Sequence, residues 1–220
     1  MKLVQFWKDN APALGLMTEG GIVDVAAEGA RRWLAVPATM EEAIAQGAEG
    51  LEALAKLEQG AQCFTTAPLA PVVTNSSKIL CIGLNYRQHA KECSLPLPPA
   101  PVLFNKFSTA LAAHGDCIKL PGEYKEYDYE AELVAVMGKL ARNVSPEEAL
   151  DYVYGYTCGN DRPPGTFSSP GAISGCCPSL WMALARWAPV WSPPENWTPR
   201  TWPSPPPSTE NSARTPTPAT

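Results

Sequence analysis

The chain has 220 residues, enough for one domain of ordinary size with a small appended unit, and 45% of them are hydrophobic. A net charge of −5 and a pI near 5.1 provide no general basic field, so nucleic acid and anionic membrane are poor default partners. No stretch reaches the roughly 18 apolar residues of a membrane helix and the N-terminus has no uninterrupted apolar signal core, so a soluble, cytoplasmic protein is expected.

Short apolar segments at Leu3–Phe6, Leu14–Met17 and Gly21–Val25, separated by turn residues, predict a strand-rich start. Met40–Gln59 is mostly Ala, Glu, Leu and Ile and holds Gly47 and Gly50 but no Pro, which predicts a helix or a pair of short helices. Thr66–Ser77 reads as a linker. Beyond it, Lys78–Gly83 (KILCIG) predicts a buried strand, Asn85–Glu92 is short and polar, and Val102–Lys106 predicts another strand. Tyr129–Gly138 is the longest strand candidate. Ser145-Pro146-Glu147-Glu148 carries a capping-box pattern that predicts a helix ending near Tyr152, followed by a strand over Val153–Cys158. Seven cysteines, an odd number with no CxxC pair although Cys176 and Cys177 are adjacent, read as reduced thiols.

After Asp161 the composition changes. Residues 162–220 hold 14 of the 24 prolines and 5 of the 7 tryptophans, no lysine, and only Glu195 and Glu210 as acids. Proline at that density argues against long helices and central strands. The expected organisation is a small N-terminal domain over 1–70, the front part of a larger domain over 71–161, and a Pro-rich tail over 162–220.

Side chains two apart in a strand share a face, so Glu130 and Glu132 project together with Val134 and Val136, while Tyr129, Ala131, Leu133, Ala135 and Met137 take the other face. Both faces are largely apolar, which predicts cover on both sides. The two acids can simply mark the solvated end of the strand. Where they enter a covered region, they repel each other and lose hydration, and a hard divalent ion bound through oxygen relieves both effects. Asp161, 29 residues beyond Glu132 across one crossover, can return beside them, although Gly159-Asn160-Asp161 also reads as a turn. Of the two histidines, His89 has Glu92 three positions on, a spacing at which a carboxylate can orient an imidazole acting as a general base on water, or form no more than an exposed contact. His114 has no such partner and is read as structural.

The segments KILCIGLNYRQHAKE, PVLFNKF, YDYEAELVAVMGK and YGYTCGND, in that order over Lys78–Asp161, resemble the fumarylacetoacetate hydrolase family. The resemblance implies an α+β fold, a mixed β-roll behind a small N-terminal domain, usually dimeric and acting on diketo or oxo acids by hydrolysis of carbon–carbon bonds, isomerisation or decarboxylation. It implies Glu130, Glu132 and Asp161 as ligands of Mg²⁺, with Mn²⁺ or Ca²⁺ as substitutes. It implies His89 and Glu92 as a water-activating pair on a short lid helix, and Lys106 as a basic position near the substrate. Gln88 stands where the family commonly has Asp, and Ala113-His114-Gly115-Asp116 replaces its Gly-Pro-Gly-Asp turn.

The family's later Ser-Ala-Arg-Asp, Trp-Leu-Leu-x-Lys and Gly-rich segments are absent from 162–220, so a truncated β-roll with a disordered tail, poorly soluble and with little or no activity, is expected. The alternative is an interaction protein whose tail, through motifs such as Pro203-Ser204-Pro205-Pro206-Pro207, docks in a partner groove. The genetic code favours another origin. Joining the third base of each codon to the first two of the next forces Asp-Gly from Trp181-Met182-Ala183 and Gly from Trp187-Ala188, and it permits Ser-Ala-Arg-Asp-Leu-Gln across Arg162–Ser168. Ile173–Ser179 likewise permits Leu-Trp-Leu-Leu-Ser-Lys. The tail is therefore expected to be the family's continuation read out of frame. Sequencing the gene should find a one- or two-base change just after the Asp161 codon that restores an open frame with the Lys and Gly-rich motifs, and an alternate frame full of stops would refute it.

Overall fold

The computed structural model describes residues 1–64, 66–118, 130–161, 185–187 and 190–191. Strands β1 (Lys2–Lys8) and β2 (Ala11–Thr18) form a hairpin closed by Asp9 and Asn10 at φ 50° and 63°. Short polar side chains tolerate this left-handed backbone, and its twist suits a two-residue hairpin turn. β3 (Gly21–Asp24) adds antiparallel to β2. Asp24 then starts α1 (Val25–Arg32): its carboxylate accepts the Ala27 N–H at 3.0 Å and receives Lys8 Nζ at 2.6 Å.

The sequence pattern did not predict α1. Its single strong start signal is Asp24, and Glu28, Arg31 and Arg32 break up the apolar stripe. The helical region over 40–59 is a pair, α2 (Met40–Gln46) and α3 (Ala48–Glu58), divided at Gly47, whose φ of 57° and ψ of −125° suit a residue without Cβ. The linker-like stretch contains β4 (Leu69–Ala70), paired with β1.

Next come β5 (Ile79–Gly83), α4 (Arg87–Glu92), β6 (Val102–Lys106), β7 (Leu111–Ala113), β8 (Glu130–Met137) and β9 (Val153–Asp161). The helix expected from Ser145 is corrected to a turn followed by a 3₁₀ segment, Ala149–Tyr152. Its capping contacts exist, with Ser145 Oγ donating to Glu148 at 3.0 Å and accepting the Glu148 N–H at 3.3 Å. Too few residues separate them from the β-branched Val153 to propagate an α-helix.

Within the tail, β10 (Ala185–Trp187) pairs parallel with β7, and β11 (Val190–Trp191) lies between β1 and β9. The expectation that proline density bars a central strand there is corrected, because both strands fall in proline-free intervals on either side of Pro189. The other tail residues, including the Pro203–Pro207 motif, lie outside the described residues.

The main sheet runs β3-β2-β1-β11-β9-β8 with β4 beside β1, while β5 and β6 form a separate antiparallel ribbon. The fold is mixed, with the three longest helices in its N-terminal part. One hydrophobic core joins the N-terminal strands and helices to the β8–β9 hairpin: Leu3, Leu14, Leu16, Met40, Leu54 and Leu57 pack in the same cluster as Val136 and Tyr154. The far end of β8 is thereby anchored in the core while Glu130 and Glu132 extend from it.

Glu28, 3% exposed, receives Arg31 at 2.6 Å and Arg32 at 2.6 Å, and Arg32 also donates to the carbonyls of Lys56 and Gln59, tying α1 to the end of α3. The hydrogen bonds from Arg31 outweigh burial and, with Arg32, hold the Glu28 carboxyl at about 2. Because the folded value is depressed, this stabilisation is present above the unfolded carboxylate range and is lost as pH falls toward about 2. Glu28→Gln should lower the melting temperature at neutral pH, and the gap from wild type should close as pH drops from about 4.5 toward 2. Parallel melting curves across that range would show that the cluster contributes nothing.

Candidate active site

The antiparallel register places Glu130 directly opposite Asp161 and Glu132 opposite Gly159. Glu130, Glu132, Val134 and Val136 are the less exposed series along β8, and this face leads into the core. The opposite series, Ala131, Leu133, Ala135 and Met137, is exposed, so the expected full cover on both sides is corrected. The Glu130 N–H donates to Asn160 Oδ1 at 3.1 Å, which holds the ends of the two strands together.

Lys106, at the end of β6, reaches this point from another sheet. Its ammonium donates to Asp161 Oδ1 at 2.5 Å, with both side chains largely buried. Glu132 shows how closely the groups are gathered. Burial first, then the charges of Asp161 and Glu130, push its carboxyl up to about 7, while Lys106 and His89 oppose the rise. Five of the six site residues singled out in the sequence are thus linked through Glu132, which feels Glu130, Asp161, Lys106 and His89.

The sixth, Glu92, has a different partner from the one expected. On α4 the Gln88 amide donates to Glu92 Oε1 at 3.0 Å, and His89 Nε2 lies 3.8 Å from Cys93 Sγ. Both pairs are spaced by four, which on this short helix brings side chains together in place of the predicted His89–Glu92 contact.

Two residues of the site were not found from the sequence. Cys81, on β5, shares the face of the β5–β6 ribbon that carries Lys106, since Ile79 pairs with Lys106 and Cys81 with Phe104. Burial pushes its thiol up to about 11, opposed by Lys106 and reinforced by the three carboxylates, so it is a neutral thiol lining the charged cluster. Its alternation with Ile79 was the available signal. Tyr86, the cap residue of α4, accepts the Leu133 N–H at 2.9 Å through its hydroxyl, and no local pattern foretells that contact. A cavity of about 490 Å³ beside the ribbon takes in Lys106 but none of the carboxylates.

Three converging carboxylates are a donor set of the kind a hard divalent ion prefers, and such an ion would offset both the burial and the neighbouring charges that push Glu132 up. The residues fit an ion by chemistry, although among the described residues no three His, Cys, Asp or Glu side chains are already drawn into a ligand shell.

Residues 78–163 match the family described as fumarylacetoacetate (FAA) hydrolase C-terminal. The chain carries a fumarylacetoacetate hydrolase family domain. The mitochondrial oxaloacetate tautomerase fahd2 of Xenopus laevis is 37% identical over 169 residues, covering 73% of this chain and 51% of that protein. The human oxaloacetate tautomerase FAHD2A is 34% identical over 171 residues, with 73% and 52% covered. The chain thus spans about half the length of the curated relatives it matches. Among solved structures, the maleylpyruvate hydrolase of Sphingobium sp. SYK-6, in complex with manganese(II) and pyruvate, superposes with a TM-score of 0.66 at 25% identity, covering 87% of this chain and 67% of that one. Fumarylacetoacetate hydrolase family enzymes thus include hydrolases and tautomerases of oxo acids. No helix among the described residues is long and apolar enough to cross a membrane.

The Lys106–Asp161 pair gives the domain a direct test. Removing the ammonium leaves Asp161 facing Glu130 and Glu132 without it, and breaking one partner of a buried pair costs about 3 kcal/mol. Lys106→Met is expected to lower the urea midpoint accordingly, and an unchanged midpoint would show that the pair does not stabilise the fold.

Proposed function

We propose that the complete fold is a divalent-metal-dependent hydrolase of carbon–carbon bonds in diketo or oxo acids of the acylpyruvate type, working as a homodimer. The observation that carries this reading is the convergence of Glu130, Glu132, Asp161, Lys106 and His89 at one end of the β8–β9 hairpin. Glu130, Glu132 and Asp161 would hold Mg²⁺, or Mn²⁺ or Ca²⁺ in its place. When bound, the ion supplies Lewis-acid polarisation of the substrate's enol and keto oxygens.

The chain's own residues do the remaining work. His89, on an exposed helix next to the carboxylates, removes a proton from water, and the resulting hydroxide adds to the substrate's keto carbon. As the carbon–carbon bond breaks, the proton returns to the carbon of the departing enolate. Lys106 keeps a positive charge beside Asp161 and can pair with the substrate's carboxylate. Glu92, held by Gln88, adds negative charge to the helix that carries His89.

The tautomerase relatives favour a second reading with the same residues, in which His89 moves a proton between carbon and oxygen of an oxo acid without cleavage. Decarboxylation is a third variant of the same enolate chemistry. Residues 162–220 contribute no residue to this reading, and the family match ends at residue 163.

In the frame-restored protein, His89→Ala should leave Mn²⁺ affinity by calorimetry intact and cut turnover by about 10²-fold, whereas Glu132→Ala should abolish both. A panel of acylpyruvates and oxaloacetate tells cleavage from tautomerisation. Unchanged Mn²⁺ affinity in Glu132→Ala would remove the metal assignment, and unchanged turnover in His89→Ala would remove the base.

A further inference from the structure

We infer that the Tyr86 hydroxyl is a latch that fixes the helix bearing His89 to the strand bearing Glu132, making Tyr86 a positioning residue of this site. Its importance for turnover rests on the function proposed above, but the positioning can be read without activity or metal.

The argument starts from a free edge. Among the described residues β8 is the last strand of the main sheet, so every second backbone N–H along it points away from β9 with no ladder partner there. The outward N–H of Leu133, next in chain to Glu132, is met by the phenolic oxygen of Tyr86 at 2.9 Å. This contact joins residues 47 apart in the chain. Tyr86 is also the cap residue of α4, and the Ala90 N–H donates to its carbonyl at 3.1 Å. One residue therefore begins the helix through its backbone and grips the carboxylate strand through its side chain.

The helix needs such a tie. α4 has six residues, too few to persist on backbone hydrogen bonding alone, and Ala90 is its one buried residue. Its side-chain bonds, Gln88 to Glu92 and His89 to Cys93, stay within the helix and its cap and do not orient it against the sheet. The Tyr86 contact does. It lies three residues before His89 on one side and one residue after Glu132 on the other, so the distance between base and carboxylate follows from it. Having accepted the Leu133 N–H, the hydroxyl still has its own proton to donate toward the site.

The test uses the 220-residue chain at low concentration, without metal, comparing wild type with Tyr86→Phe, which keeps the ring and removes the oxygen. Amide hydrogen exchange resolved at Leu133 should be slow in wild type and about tenfold faster in the variant, the size of one lost hydrogen bond. Carbethoxylation by diethyl pyrocarbonate, followed by mass spectrometry, should become several-fold faster at His89 and stay unchanged at His114, the internal control for the rest of the fold. Faster exchange at Leu133 with an unaltered His89 rate would mean that the bond only closes a sheet edge, and the latch would be overturned. An unprotected Leu133 amide in wild type would overturn it as well, and that measurement holds even if the variant fails to fold.

Discussion

Pairing of β8 with β9 decides which carboxylates meet. With Glu130 opposite Asp161 and Glu132 two residues along the same face, three carboxyl groups arrive at one end of a hairpin whose backbone hydrogen bonds allow no separation. Partial burial strengthens their repulsion, because Coulomb energy rises as the effective dielectric falls. The fold sets the Lys106 ammonium from β6 against them and brings the His89 imidazole from α4 near Glu132. A register slip of one residue would turn Glu130 and Glu132 to the opposite face and undo the arrangement at once.

How much of this was legible in the sequence depends on the distance over which each contact acts. The shared face of Glu130 and Glu132 follows from strand periodicity alone, so it could be read directly. The Lys106–Asp161 pair joins residues 55 apart and needs two sheets to be placed before it exists. The pattern Ser145 to Glu148 formed the predicted hydrogen bonds and still made no α-helix, because a cap lowers the cost of starting a helix but does not supply residues to extend it. On α4 the spacing allowed His89–Glu92, His89–Cys93 and Gln88–Glu92 alike, and spacing cannot rank them.

The division into a small N-terminal domain and a catalytic part looks different once packing is considered. Leu3, Leu14 and Leu16 from the first hairpin, Met40 from α2, and Leu54 and Leu57 from α3 share a cluster with Val136 and Tyr154. The N-terminal residues therefore form the base on which the β8–β9 hairpin stands. Burial falls along β8 from Val136 toward Glu130, so the strand is held firmly at its apolar end and presents its charged end to whatever approaches. This gradient suits a site that must be placed accurately yet exchange water and solutes.

Exposed apolar surface shows where the fold still calls for cover. Of the 14 large hydrophobic residues that are exposed among the described residues, Trp7 and Trp33 belong to the N-terminal part, and the other 12 lie between Leu80 and Leu150, inside the matched family domain. Several sit on regular strand faces: Leu80, Ile82 and Leu103 on the outer side of the β5–β6 ribbon, and Leu133 and Met137 on the outer side of β8. Strands apolar on both faces are built to be packed on both faces. Here one face is used for the charged cluster and the core while the other is open to solvent. The N-terminal hairpin, with α1 to α3, has largely satisfied its own burial, whereas the strands carrying the proposed ligands have met only half of theirs. In a chain that spans about half the length of its relatives, the unsatisfied surface is thus concentrated on the elements that carry the site.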